Sequence, residues 1–167
     1  TEATGPLTWL LPEDHDPNGP RAHLLRSAGQ PSPGVEMRIV GPDGRELPWD
    51  GQASGDLHVC GPWIISGYFK GEGGDPLIDG WFPTGDVASI DADGFLQITD
   101  RSKDVIKSGG EWISSIDVEN IAMAHPAVAM AACIAVPHPK WDERPLLVVM
   151  KKPGAQATAA DILAHFE

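Results

Sequence analysis

The chain has 167 residues, 41% of them hydrophobic, enough for one ordinary core or two small ones, because domains run to about 100–150 residues. With 24 acidic against 12 basic side chains, it is a poor partner for nucleic acid or an anionic membrane surface, which repel an acidic protein that lacks a segregated basic patch. Lys and Arg are scattered; the tightest grouping, Arg101, Lys103 and Lys107, lies among Asp100, Asp104 and Glu111 and reads as a site, not a charged face.

Residues 5–34 are rich in Pro, Gly and polar side chains with little periodicity, and are predicted to be loop-dominated. Short strands are predicted over 35–40, 46–48 and 55–60, the first two joined by the turn Gly41-Pro-Asp-Gly44, with Leu57 and Val59 sharing a face. A second hairpin pairs 87–90 with 95–99 through Asp91-Ala-Asp-Gly94. Together these give a small antiparallel sheet or partial barrel.

Beyond Arg101 the texture changes, and a domain boundary is expected near residues 100–104. Ser114 or Ser115 caps a helix whose apolar positions Ile116, Ile121 and Ala124 fit helical spacing, and His125-Pro126 ends it. Strands are predicted over 128–136 and, after a polar loop, over 146–150. The capping box Thr158-Ala-Ala-Asp161 then opens a last helix.

Cys60 and Cys133 each lie in an apolar run and are expected to be buried free thiols. The six histidines are dispersed or flank turns before Pro and suggest no metal cluster, and no Ser/His/Asp or Cys/His arrangement supports a hydrolase. There is no secretory signal, lipidation motif or apolar run near the ~20 residues needed to span a bilayer, so a soluble cytoplasmic protein is expected, with peripheral membrane contact compatible. Thr1 is not an initiator Met and the chain stops inside a helix, so a segment of a longer, truncated chain is expected.

Two stretches carry chemistry. Trp81-Phe-Pro-Thr-Gly-Asp86 places an acid after a Gly turn at the entry to a strand, where a carboxylate on a fixed backbone can accept both ribose hydroxyls or simply cap local backbone groups. Asp100-Arg-Ser-Lys-Asp-Val-Ile-Lys-Ser-Gly-Gly110 alternates charges around two apolar residues and ends in a flexible diglycine, as an interdomain loop or a site would.

In order and spacing, Gly55-Asp-Leu57, Gly67-Tyr-Phe69, Trp81 to Asp86, Asp100 to Gly110 and Glu111-Trp-Ile-Ser-Ser-Ile-Asp-Val-Glu119 resemble the adenylate-forming superfamily. Lys107-Ser-Gly-Gly-Glu-Trp-Ile-Ser114 and His138-Pro-Lys-Trp-Asp-Glu-Arg-Pro145 are similar to its fatty-acid–CoA ligase branch, including medium-chain and methylthio-propionate ligases. The resemblance implies an α/β, more narrowly α+β, fold. Residues 1–103 would close a large N-terminal domain, and 104–167 would begin a small mobile C-terminal domain.

The activity implied is ATP-dependent conversion of an aliphatic acid, of medium or long chain, to acyl-adenylate and then acyl-CoA. ATP, Mg²⁺ and coenzyme A would be needed, and the isolated chain would be inactive. Thr1 would bond the α-phosphate, and Glu2 would hold Mg²⁺, a hard cation suited to carboxylate and phosphate oxygens. Asp86 would take the ribose hydroxyls with Arg101 beside it, and Trp112 would sit against adenine or close over it. Lys103 matches the hinge, and Gly109 and Gly110 would allow close backbone approach along the coenzyme A path.

The catalytic Lys of the family is expected beyond Glu167, since neither Lys151 nor Lys152 fits its motif, and the phosphate loop before Thr1. Asp56 stands where many relatives carry Glu, with no expected effect on function. A non-catalytic binding module and an amino-acid adenylation module that loads a carrier protein are the alternatives. Oligomeric state is open, a homo-oligomer included.

Overall fold

The computed structural model describes residues 2–166. The chain divides into two compact units, Thr1–Ser102 and Lys103–Glu167.

In the first unit, residues 5–34 are mostly loop, as the composition implies, but two short pieces pair: β1 (Thr8–Trp9) runs antiparallel to β2 (Gln30–Pro31). Between them lie 3₁₀ turns at Pro12–His15 and Ala22–Arg26. This stretch has its own anchor. Asp14, 1% exposed, has its Oδ1 3.0 Å from Arg21 Nη1. The approach is off the hydrogen-bonding direction, so charge holds the pair.

The body of the unit is an open antiparallel sheet in the order β3 (Glu36–Val40), β4 (Gly55–Cys60), β5 (Phe82–Ile90), β6 (Leu96–Arg101). The strands β3 and β6 are its edges, so the expected small antiparallel sheet is open and does not close into a barrel. Alternation along the strands builds the core: Met37 faces Val59 and Ile39 faces Leu57, with Ala88, Ile90 and Leu96 in the same cluster.

Two strand expectations change. The predicted 46–48 strand is reduced to the single bridge Val40↔Glu46, because Pro48 has no N–H to continue a ladder. The strand expected at 87–90 begins at Phe82, five residues earlier, and carries Gly85 inside it at φ 77°. A glycine there reads as a turn in sequence, yet it bends a paired strand next to the register shift at Val87/Ala88. Asp86 therefore lies within β5, not at its entry.

The second unit is a sheet in the order β8-β7-β10-β9 with two helices. The strands β7 (Ile106–Ser108) and β8 (Glu111–Ile113) form a hairpin that local composition did not suggest. Its two-residue turn is Gly109-Gly110 with φ of 62° and 91°, the pair of positive values that suits the twist of a tight hairpin. Helix α1 (Ser115–Ala124) is capped by Ser114, whose Oγ accepts from the Asp117 N–H at 3.1 Å, and it stops at His125 before Pro126.

The apolar stripe expected to bury α1 points outward instead: Ile116 is 44% and Ile121 41% exposed. Ala122 is the buried apolar residue, and the Glu119 carboxylate accepts the Cys133 N–H at 2.8 Å. Cys133 is in β9 (Val128–His138), an edge strand, so an acid from the helix satisfies a backbone donor that has no neighbouring strand.

The partner strand β10 (Asp142–Lys151) starts four residues before the predicted 146, since the polar residues 142–145 pair with β9. Pro145 is tolerated because β7 reaches β10 only at Asp142↔Ser108. Along β9 and β10, Met130, Ile134, Leu146, Val148 and Met150 point outward and are exposed. The capping box at Thr158 and Asp161 opens α2 (Ala159–Leu163) as expected.

Candidate functional site

Glu2, Thr84, Asp86 and Arg101 line one cavity of about 380 Å³ in the first unit, over an apolar floor that includes Ile64 and Phe82. Backbone pairing puts each there. The segment around Glu2 lies along residues 63–65: the Ile65 N–H donates to the Glu2 carbonyl at 3.0 Å, and Ala3 bridges to Ile64. The Tyr68 hydroxyl is 3.5 Å from Glu2 Oε1.

Asp86 and Arg101 are direct cross-strand partners on β5 and β6, and Arg101 Nη1 lies 3.1 Å from Asp86 Oδ1. With Arg101 60% exposed, this ion pair adds at most about 1 kcal/mol to stability; its effect is to aim the carboxylate. The Asp86 N–H donates to Thr84 Oγ1 at 3.1 Å, which fixes the backbone just after Gly85. Behind Arg101, Asp100 is buried at 2% exposure, and its Oδ1 accepts the Arg101 N–H at 2.7 Å. Thr84 lies inside the Trp81 to Asp86 motif, and its residue type alone carries no signal of a site.

A cavity with two carboxylates, one guanidinium and an apolar floor suits a ligand that has hydroxyls, a charged group and a flat apolar part. Only one Asp86 oxygen is engaged by Arg101, and a carboxylate has acceptor capacity at both. Among the described residues, no group of three or more His, Cys, Asp or Glu is arranged to hold a metal. Glu2 fits the mode in which Mg²⁺ is held by one or two carboxylates plus the phosphate oxygens of a bound substrate.

Of the remaining predicted residues, four belong to the second unit. Thr1 is outside the described residues. Lys103 is exposed in the turn that opens the second unit. Trp112 is half-buried on β8, in register with Lys107, whose Nζ stands 5.3 Å from the indole centroid. Gly109 and Gly110 form the hairpin turn, so the segment read as a flexible diglycine is a folded element.

Close approach at Gly109 is real, and the approaching group is Trp141: a Cβ there would meet Cε3 of its ring at 2.7 Å, and the Gly109 N–H donates to the Trp141 carbonyl at 2.8 Å. Cys133 is buried and Cys60 partly exposed, which corrects the expectation of two buried thiols; neither is in a disulfide. Burial and the nearby Glu36 push the Cys60 thiol up, away from the reactive thiolate. No described helix is long and apolar enough to cross a membrane.

The chain is 58% identical over 146 residues to the 3-methylmercaptopropionyl-CoA ligase of Ruegeria pomeroyi, covering 87% of this chain and 27% of that protein. It is 52% identical over 143 residues to the medium-chain-fatty-acid–CoA ligase of Ectopseudomonas oleovorans, covering 86% and 26% respectively. Among solved structures, o-succinylbenzoate coenzyme A synthetase from Bacillus subtilis in complex with AMP superposes with a TM-score of 0.74 at 30% identity, over 99% of this chain and 32% of that one. The chain thus spans roughly a quarter of the length of the curated relatives it matches. The AMP-binding enzyme family model matches residues 1–69 and the model of the AMP-binding enzyme C-terminal domain matches residues 117–167. The chain belongs to the AMP-binding enzyme family, whose members here include curated acyl-CoA ligases.

Proposed function

We propose that this chain supplies the ribose-binding and hinge portion of an AMP-forming acid–CoA ligase that activates an aliphatic acid of medium or long chain. The observation that carries the reading is the convergence of Glu2, Asp86 and Arg101 on one cavity in the first unit. The names of the similar ligases support an aliphatic acid.

In this reading the acid's carboxylate attacks the α-phosphate of ATP, the bond to the β-phosphate bridging oxygen breaks, and pyrophosphate leaves. Coenzyme A thiolate then attacks the acyl carbon and AMP departs. Asp86 accepts the ribose hydroxyls while Arg101 holds its carboxylate in place, so the nucleotide is oriented before reaction; positioning of this kind lowers the barrier by prepaying entropy. Thr1 bonds the α-phosphate. Glu2 would hold Mg²⁺ together with phosphate oxygens, a cation that would supply charge neutralisation for the leaving pyrophosphate.

The residues of the second unit complete the proposal. Residues 1–103 close the large domain, and 104–167 begin the small mobile one. Lys103 is the pivot, Trp112 covers adenine, and the Gly109-Gly110 turn borders the coenzyme A path. The isolated chain carries no turnover of its own in this reading.

Calorimetric titration of AMP into the chain tests the nucleotide site, with Asp86→Ala expected to raise the Kd about 10- to 100-fold, the loss of charge-assisted hydrogen bonds. Acid-dependent AMP formation by the complete ligase, with ATP, Mg²⁺ and coenzyme A across aliphatic acids, tests the reaction. Absence of turnover with every acid in a folded protein would overturn it.

A further inference from the structure

We propose that Asp56 is a positioning residue that clamps Ser102 and so confines backbone rotation to the residues that follow it. The inference rests on the reading of Lys103 as the pivot. Its basis is a pair of bonds at the last residue of the first unit. The Ser102 hydroxyl donates to Asp56 Oδ1 at 2.5 Å, and the Ser102 N–H donates to the Gly85 carbonyl at 2.9 Å.

These two bonds tie Ser102 to different strands. Asp56 is on β4, in register with Val87 of β5, and Gly85 is on β5 itself. A hydroxyl-to-carboxylate bond this short is of the charge-assisted kind, stronger than a neutral one. Beyond Ser102 the support stops abruptly: Lys103 and Asp104 are exposed in a turn. Rotation about ψ of 101 would break the N–H bond and rotation about φ of 102 the hydroxyl bond, whereas rotation at 103 and 104 leaves both intact.

The clamp matters because of what sits just before it. Arg101 is ion-paired to Asp86 in the cavity, and a residue that swung at 102 would drag Arg101 with it. Asp56 holds that end of β6 still while the following residues turn. Its short side chain, one methylene less than Glu, is matched to the serine hydroxyl it meets, so the departure from the commoner acid has a structural partner in this chain.

Amide hydrogen exchange at residue 102 tests this, together with the rate of tryptic cleavage after Arg101 and Lys103, in the chain itself. Asp56→Ala and Ser102→Ala should each raise exchange at 102 about tenfold and speed cleavage after Arg101, while amides of β3 to β5 keep wild-type rates. The double variant should show no further rise, since both changes remove one bond, and Asp56→Asn, which keeps an acceptor oxygen, should restore most of the protection. Unchanged exchange at 102, additive effects in the double variant, or loosening spread evenly through β3 to β5 would each overturn the proposal. Should Asp56→Ala fail to fold, Ser102→Ala, which removes only a hydroxyl, decides by itself. No readout uses a nucleotide, so a ligase that shows no turnover leaves this result standing, and the reverse.

Discussion

The indole of Trp141 occupies the space where a side chain on Gly109 would begin, 2.7 Å from the Cβ position. Gly110, its neighbour in the turn, has nothing within 4 Å of the same position. Both have positive φ, so alanine at either pays a left-handed penalty of about 1–2 kcal/mol, but only at 109 must an aromatic ring also move. Gly109→Ala should therefore destabilise the second unit clearly more than Gly110→Ala in urea unfolding. Removing the ring in a Gly109→Ala/Trp141→Ala variant should recover the steric part of the difference. Equal costs at the two glycines would show that Trp141 does not pack on the turn.

Glu119 makes a separate prediction about the edge of the same sheet. Its carboxylate is the acceptor for the Cys133 N–H, and a buried donor left without one costs about 1–3 kcal/mol. Glu119→Ala should destabilise by that amount and speed amide exchange at Cys133; Glu119→Gln, which retains an acceptor oxygen, should cost less. Identical exchange at Cys133 in all three proteins would mean that the helix contributes only packing there.

How far such features were readable differs with the range of the interaction. Ser114, Thr158 with Asp161, and the Asp91 turn all act within a few residues, and each appears where local chemistry puts it; Asp91 Oδ1 accepts from the Asp93 and Phe95 N–H groups. The longer-range features were not local. Gly85 reads as a break, but pairing of β5 with both neighbours carries the strand through it. Ile116 and Ile121 turn outward while Glu119 turns to the Cys133 N–H of β9, a partner that no helical periodicity encodes. The candidate residues could be named from motif order, yet the meeting of Asp86 with Arg101 required the register of two strands, and that of Asp56 with Ser102 the placement of a third.

Arg21 neutralises Asp14, a carboxylate with almost no exposure, in a stretch of otherwise irregular chain. Arg21→Ala should cost about 1–3 kcal/mol in the first unit, because the remaining charge is buried without its partner. Asp14→Ala combined with Arg21→Ala should cost less than the sum of the single changes. Additive losses in thermal unfolding would indicate that Arg21 acts independently of Asp14, through its stem and the approach of its guanidinium carbon to the Phe95 ring at 5.8 Å, and not through this ion pair.

His58 gives the first unit a dependence on pH. Its ring is 7% exposed on β4, and Arg38 Nη2 stands 3.5 Å from Nδ1. The Arg38 guanidinium is stacked 4.5 Å from the Trp81 ring centroid, so it has little freedom to withdraw. Burial, then the Arg38 charge, hold the imidazole below its ordinary value of 6.5, with Asp56 pulling the other way. A depressed histidine is neutral in the folded state over a window in which the unfolded chain already binds a proton. The unfolded state then holds more protons, so stability falls with pH from about 6.5 down through the folded value and is fully present above it. His58→Gln removes the titration while keeping a polar side chain. Between pH 8 and pH 5 the unfolding midpoint of the parent should therefore drop further than that of His58→Gln, with the curves separating only below about 6.5. Parallel curves would mean that Asp56 offsets burial and Arg38 together and that His58 titrates alike in both states.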